Sequence, residues 1–100
     1  MIYITQLIYI NEGQENVFDE FEMHAIPNIV KYNGRLLLRV RPGEHSFIEH
    51  SIDKPYEIHI VEFDSTQDFE NYKQDKERLQ FLYLKQQSVK ASILYQGVEV

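Results

Sequence analysis

The sequence predicts an α+β fold, a four-stranded antiparallel sheet with two helices packed on one of its faces. Three observations lead there. An apolar strand, an amphipathic helix and a second apolar strand follow one another twice, first from Ile2-Tyr3-Ile4 to Leu36-Leu37-Leu38 and then from Ile58-His59-Ile60-Val61 to Ala91-Ser92-Ile93-Leu94. The β-α-β-β-α-β order, joined by right-handed crossovers, puts both helices on the same side of the sheet. At 100 residues, with no linker or low-complexity stretch, the chain reads as a single domain spanning 1–100.

The elements can be justified in order. Ile2 to Ile10 is β-rich and apolar on both parities, as expected of a strand covered on both faces. Asn11-Glu12-Gly13 ends it. From about Gln14 to Tyr32, Phe18, Phe21, Ala25, Ile29 and Tyr32 recur at helical spacing, and Met23, Ile26 and Val30 form a second, offset stripe that suggests contact with another layer. Acidic residues crowd the first turns and Lys31 sits in the last, matching the helix dipole. Pro27 predicts a break near Met23 to Ala25. Asn33-Gly34 is a stop, with Gly34 the residue suited to a left-handed conformation. Arg35 to Arg41 is the second strand. The polar stretch Glu44 to Lys54 is a projecting connection, in which only one of the adjacent Phe47 and Ile48 is expected to anchor. Tyr56 to Phe63 is the third strand. Ser65-Thr66-Gln67-Asp68 has capping-box form and opens a helix that turns Phe69 and Tyr72 inward and reaches about Gln87, with a polar interval at Gln74 to Glu77. Val89 to Tyr95 is the fourth strand.

Helices on one side leave the other face of the sheet open. A wet face should show alternating polar residues, and the first and third strands do not alternate. We therefore expect Ile2, Ile4, Ile58 and Ile60 to line a second face that another copy of the chain covers, giving a homodimer.

Composition narrows the function classes. The net charge of -6 makes nucleic acid a poor partner, since phosphate binding needs a basic patch. Arg35, Arg39 and Arg41 with Lys31 come nearest to one, either as a local anion site or as a solvated strand edge. No cysteine is present, which removes disulfides, thiolate metal sites and thiol nucleophiles. No apolar run reaches the roughly 20 residues that span a bilayer. The apolar N-terminus lacks a basic lead and reads as a strand rather than a signal sequence. A cytoplasmic protein with no membrane partner is expected.

Candidate chemistry is sparse. His59 lies mid-strand among apolar neighbours and reads either as a pocket general base or as a buried imidazole satisfied by a neighbour, the commoner outcome. His24, at the edge of the first helix stripe, and Arg39, which suits a substrate carboxylate or a nearby Glu, are ligand-binding candidates beside Tyr3 and Tyr32. Tyr9, Tyr56 and Tyr95 join these tyrosines either around a flat ligand or in ordinary packing. His45, Glu49 and His50 have ligand chemistry, but two His and one Glu in a loop make a poor zinc set. No metal ligands and no cofactor are assigned. No triad, phosphate loop or dinucleotide fingerprint occurs.

Two junctions carry a resemblance. Ile26-Pro27-Asn28-Ile29-Val30-Lys31-Tyr32-Asn33-Gly34-Arg35-Leu36-Leu37 and Val61-Glu62-Phe63-Asp64-Ser65 resemble those of a small bacterial domain-of-unknown-function family. That family lies within the dimeric α+β barrel superfamily, which also holds the antibiotic-biosynthesis monooxygenases. The resemblance implies a ferredoxin-like βαββαβ subunit whose sheet pairs with a second sheet in a dimeric α+β barrel, with a pocket between sheet and helices. The family usually has a double glycine where this chain has Asn33-Gly34. A basic residue near the end of its second helix, often Arg, corresponds to Lys85. Haem-degrading relatives rely on a Trp, and this chain has none. The functional expectation is a small homodimer that binds a small organic ligand, as a cofactor-independent isomerase or monooxygenase. The alternatives are a non-catalytic dimerisation module with a filled core and a metal-dependent enzyme using the hairpin histidines. A cavity touching His59 favours the first; a solid core there favours the second.

Overall fold

The computed structural model describes residues 1–98. Strand β1 (Ile2–Ile10) leads into helix α1 (Glu15–Ala25), which tightens into a 3-10 segment (Ile26–Tyr32) before β2 (Gly34–Val40). The connection Glu44 to Lys54 holds one 3-10 turn, Glu44–Ser46. Strand β3 (Glu57–Phe63), three short helices α2 (Thr66–Lys73), α3 (Lys76–Gln80) and α4 (Leu82–Ser88), and β4 (Val89–Val98) complete the described chain. The strands lie in the order β2-β3-β1-β4, all neighbours antiparallel. With the helices on one face, this is the ferredoxin-like βαββαβ arrangement.

Local chemistry sets the breaks. Pro27 has no amide hydrogen to continue the α-helical ladder, and α1 gives way to 3-10 geometry at Ile26. The left-handed residue that ends this segment is Asn33 (φ 58°), not Gly34. Gly34 is required for space instead: a Cβ there would lie 2.6 Å from both Ile29 Cγ2 and Phe63 Cε1. Ser65 Oγ accepts from the Asp68 amide at 3.1 Å and donates to Asp68 Oδ2 at 2.9 Å, so the cap closes on itself at the start of α2. The single second helix expected from the sequence is three. Asp75 takes an extended backbone, and its carboxylate accepts from the Arg78 amide at 3.0 Å, starting α3 afresh.

The core lies between sheet and helices. Ile2, Ile4, Val61 and Phe63 from the central strands meet Ile29 and Phe69. Phe21, Ala25 and Leu84 pack α1 against α4. The expected isoleucine face is corrected here. Antiparallel pairing sets Ile2 opposite Phe63 and Ile4 opposite Val61, so these two isoleucines are buried under the helices. Ile58 and Ile60 point the other way, beside Leu7 and Thr5. The open face carries Tyr3, Leu7, Ile58 and Ile60 in its centre, with Leu38, Val40, Ile93 and Tyr95 exposed at its edges. Met23 and Val30, expected to touch another layer, lie exposed on the outer side of the helices, about two-thirds accessible each (67% and 69%).

A register shift between Leu36 and Leu38 rearranges β2. Before it, Arg35 sits opposite Glu62 on the open face; after it, Arg39 sits opposite His59 on the covered face. A bulge of this kind re-aims every later side chain of its strand. It splits the three arginines that the sequence groups together. Arg35 pairs with Glu62 (2.6 Å) and Asp64 (2.9 Å), while Arg39 and Arg41 turn to Glu57 and Asp19.

Candidate functional site

A cavity of about 120 Å³ lies between the sheet and the helices. Its lining has an apolar part, with Ile4, Ile29, Val61, Phe63 and Phe69, and a polar part, with Gln6, Glu22, His59, Tyr72, Lys73, Arg78 and Lys85; Lys73 lies over the Phe69 ring. The cavity's volume approaches that of the engineered apolar cavity of about 150 Å³ that holds benzene.

The polar part is assembled from six elements. β1 and β3 set Gln6 opposite His59. On α1, Glu22 stands within the inward set Phe18, Phe21, Ala25, one residue beyond Phe21. Tyr72 comes from α2, Arg78 from α3 and Lys85 from α4.

His59 has a partner. Its Nε2 bonds to Glu57 Oε2, two residues earlier on the same face of β3. Glu57 is fully buried and also accepts from Arg39 Nε (2.9 Å) and Arg41 Nε (2.8 Å). Burial alone would push the Glu57 carboxyl up. The hydrogen bonds from His59, Arg39 and Arg41 outweigh it and hold the group at about 2. Ionised Glu57 only accepts, so Nε2 carries the proton, and Nδ1 is the basic nitrogen of the neutral ring. Nδ1 makes no hydrogen bond among the described residues.

Glu22 and Lys85 are the unusual pair. Among the described residues neither side chain makes a hydrogen bond or an ion pair, although each feels the other's charge. Burial pushes the Glu22 carboxyl up, against the pull of His59 and Arg39. Burial pushes the Lys85 amine down, Arg78 adds to this, and Glu22 opposes it. Burial, then the charge of Glu22, raises the Tyr72 phenol. The Arg78 guanidinium lies over the Phe21 and Tyr72 rings, at 5.9 and 5.6 Å from their centres.

Of the catalytic and ligand-binding candidates named from the sequence, His59 alone lines this cavity. Arg39 reaches it indirectly, through Glu57. His24 stacks on Phe81 at 3.6 Å between ring centres, on the helical side. The Tyr32 hydroxyl donates to Asp75 Oδ1 at 2.7 Å, and Tyr3 sits opposite Glu62 on the open face. Tyr9 donates to the Asp53 carbonyl at 2.6 Å, Tyr56 meets Phe18 edge-on, and Tyr95 is exposed. No group of three or more His, Asp or Glu with metal-holding geometry occurs among the described residues, so His45, Glu49 and His50 do not converge. In their loop, Phe47 folds back against His50 and Lys54 while Ile48 is 96% exposed.

Sequence reasoning missed Glu22 and Glu57, and reached Lys85 only through the family resemblance. The signals were present. Glu22 interrupts an apolar helical stripe, and Glu57 shares strand parity with His59, Val61 and Phe63.

No protein-family model matches the sequence, and no curated protein does. Solved structures share the fold. A protein of unknown function from Rhodopseudomonas palustris superposes with a TM-score of 0.82 at 13% identity, over 99% of this chain and 82% of that one. A nipsnap family protein of unknown function from Agrobacterium tumefaciens gives 0.70 at 17% identity, over 97% and 86%. A dimeric protein of unknown function with a ferredoxin-like fold, from Bacteroides fragilis, gives 0.69 at 11% identity, over 96% and 93%. At these identities the likeness establishes a ferredoxin-like fold. No helix among the described residues is long and apolar enough to cross a membrane.

Proposed function

We propose that the chain forms a one-domain subunit of a homodimeric α+β barrel, binds a small organic molecule in its cavity, and carries out cofactor-independent proton transfer on it, as in an isomerisation. The observation that carries this reading is the cavity itself, which reaches His59 and is lined by both apolar side chains and charged groups. A filled-core dimerisation module has no need of such a space. The apolar part suits a hydrocarbon body and the polar part an oxygen-bearing head. His59, held by Glu57 with Nδ1 as its base, removes a proton beside a carbonyl. Glu22, whose carboxyl burial pushes up, returns one. Arg78 places positive charge where an oxyanion would develop. The apolar open face and the dimeric Bacteroides fragilis neighbour support pairing of two sheets.

The test is an NMR titration with butanone and 3-hydroxybutanone, followed in D2O for exchange of the protons beside the carbonyl. Shifts at Glu22, His59, Val61 and Lys85 are expected, with His59→Gln slowing exchange by about 100-fold. Val61→Phe, which fills the cavity, should abolish the shifts. Sedimentation should show twice the 12.0 kDa subunit mass. If neither compound shifts a cavity residue, the filled-core reading replaces this one.

A further inference from the structure

Lys85 combines features that suit an amine nucleophile. It lines a cavity with an apolar part, forms no ion pair among the described residues, and has the fixed cation Arg78 nearby. Its opposite charge, Glu22, faces the same space without bonding to it. A lysine that serves only to balance charge would be expected to close on the buried carboxylate. Here the two groups line the same cavity and feel each other's charge without closing to an ion pair among the described residues.

We propose that the cavity takes a small aldehyde or ketone and that Lys85 holds it as an imine. This rests on the small-molecule reading above and names the substrate class. The neutral amine attacks the carbonyl carbon, and the C=O π electrons take a proton from the Glu22 carboxyl. Nitrogen loses a proton to the Glu22 carboxylate, giving a neutral carbinolamine. The C–O bond then breaks, oxygen leaves as water with a proton from Glu22, and nitrogen keeps its remaining proton, which leaves a protonated imine beside the Glu22 carboxylate. One water is released and no oxidant or reductant is consumed. Burial favours both starting states, an uncharged amine and a protonated carboxyl. Such an imine would withdraw electrons from the neighbouring carbon, where His59 acts as base.

The experiment treats the intact protein with butanal and cyanoborohydride at neutral pH and maps the modified peptides by mass spectrometry. Lys85 is expected to gain one butyl group at least about tenfold faster than Lys31, Lys54, Lys76 or Lys90, with a rate that saturates in butanal. Glu22→Gln should slow Lys85 modification and leave the other lysines unchanged. Butan-1-ol, which cannot form an imine, is titrated by NMR in parallel. If it shifts the cavity residues while Lys85 reacts no faster than the surface lysines, the imine is overturned and cavity binding stands. If butan-1-ol shifts nothing and Lys85 shows no preference, both readings fall. The wild-type peptide map decides the matter without relying on the folding of a Lys85 variant.

Discussion

The two faces of the sheet invert the usual arrangement. The face under the helices buries Glu57, His59 and Glu22 among its apolar residues, while the open face presents Leu38, Val40, Ile93 and Tyr95 to water. A lone subunit would do better with the charges outside and the hydrocarbons inside. Buried charge is costly and has to be held by partners, whereas exposed apolar area invites a partner surface. The difference underlies the roles proposed above: chemistry on the covered face, assembly on the open one.

The sharpest way to break the comparison is at Glu57. With its pKa near 2, against an ordinary 4.5, the carboxylate stabilises the fold fully above about pH 4.5. That contribution is lost as pH falls toward 2. The shift corresponds to about 3 kcal/mol. Glu57→Gln removes the charge and leaves Arg39, Arg41 and His59 with a weaker acceptor. Urea unfolding at pH 7 should therefore show a loss of about 3 kcal/mol, and the gap to wild type should close by pH 2. A loss below about 0.5 kcal/mol would mean that the clamp does not hold the covered face together.

A second effect comes from packing on the same face. Gly34→Ala forces a methyl group into Ile29 and Phe63 and should cost about 2 kcal/mol in thermal or urea unfolding. Gly43→Ala, where nothing lies within 4 Å, is the matched control and should change stability by less than about 0.5 kcal/mol. Equal losses at both glycines would show that backbone freedom, not space, is what Gly34 supplies.

The open face is tested by association rather than stability. Tyr95→Asp places a charge in the proposed dimer contact and should weaken the dimer by about tenfold or more in analytical ultracentrifugation. Met23→Asp puts the same charge on the outer helical surface, where an apolar side chain is equally exposed, and should leave association unchanged. The reverse result would move the dimer contact to the helices.

The sequence made the strand–helix rhythm legible because apolar periodicity over seven or more residues survives any tertiary detail. The break at Pro27 and the cap at Ser65 were legible for the same local reason. What it did not disclose were relations between strands. Whether Ile4 shares a face with Ile60 or with Val61 depends on register, which one strand's pattern does not determine. The β2 bulge is likewise invisible in Arg35-Leu36-Leu37-Leu38-Arg39, yet it decides which arginines reach Glu57. The site was half legible. His59 stood out as a polar residue in an apolar strand, whereas Lys85 and Arg78 sit in segments too short and too polar for a helical stripe to reveal their inward side.

The smallest effect is the most diagnostic. Glu22 is buried without a bonded partner, and its pKa is raised. The unfolded chain titrates this carboxyl near its ordinary 4.5. Above that value the unfolded state carries the charge freely while the folded state resists it. The group's cost to folding therefore grows as pH rises through 4.5 and levels off above the folded pKa. Glu22→Gln removes the charge but keeps the shape. It should stabilise the fold by about 1 kcal/mol at pH 7, and the gain should shrink as pH falls from the folded pKa toward 4.5 and vanish below it, where the wild-type side chain is neutral in both states. The sign is opposite to that at Glu57, although both are buried carboxyls on the covered side. A gain at pH 7 together with slower Lys85 modification would mark Glu22 as a group that weakens the fold and serves the cavity. A loss of stability at pH 7 would instead make Glu22 a structural anion for Lys85 and His59, and the two carboxyls would then have one role between them.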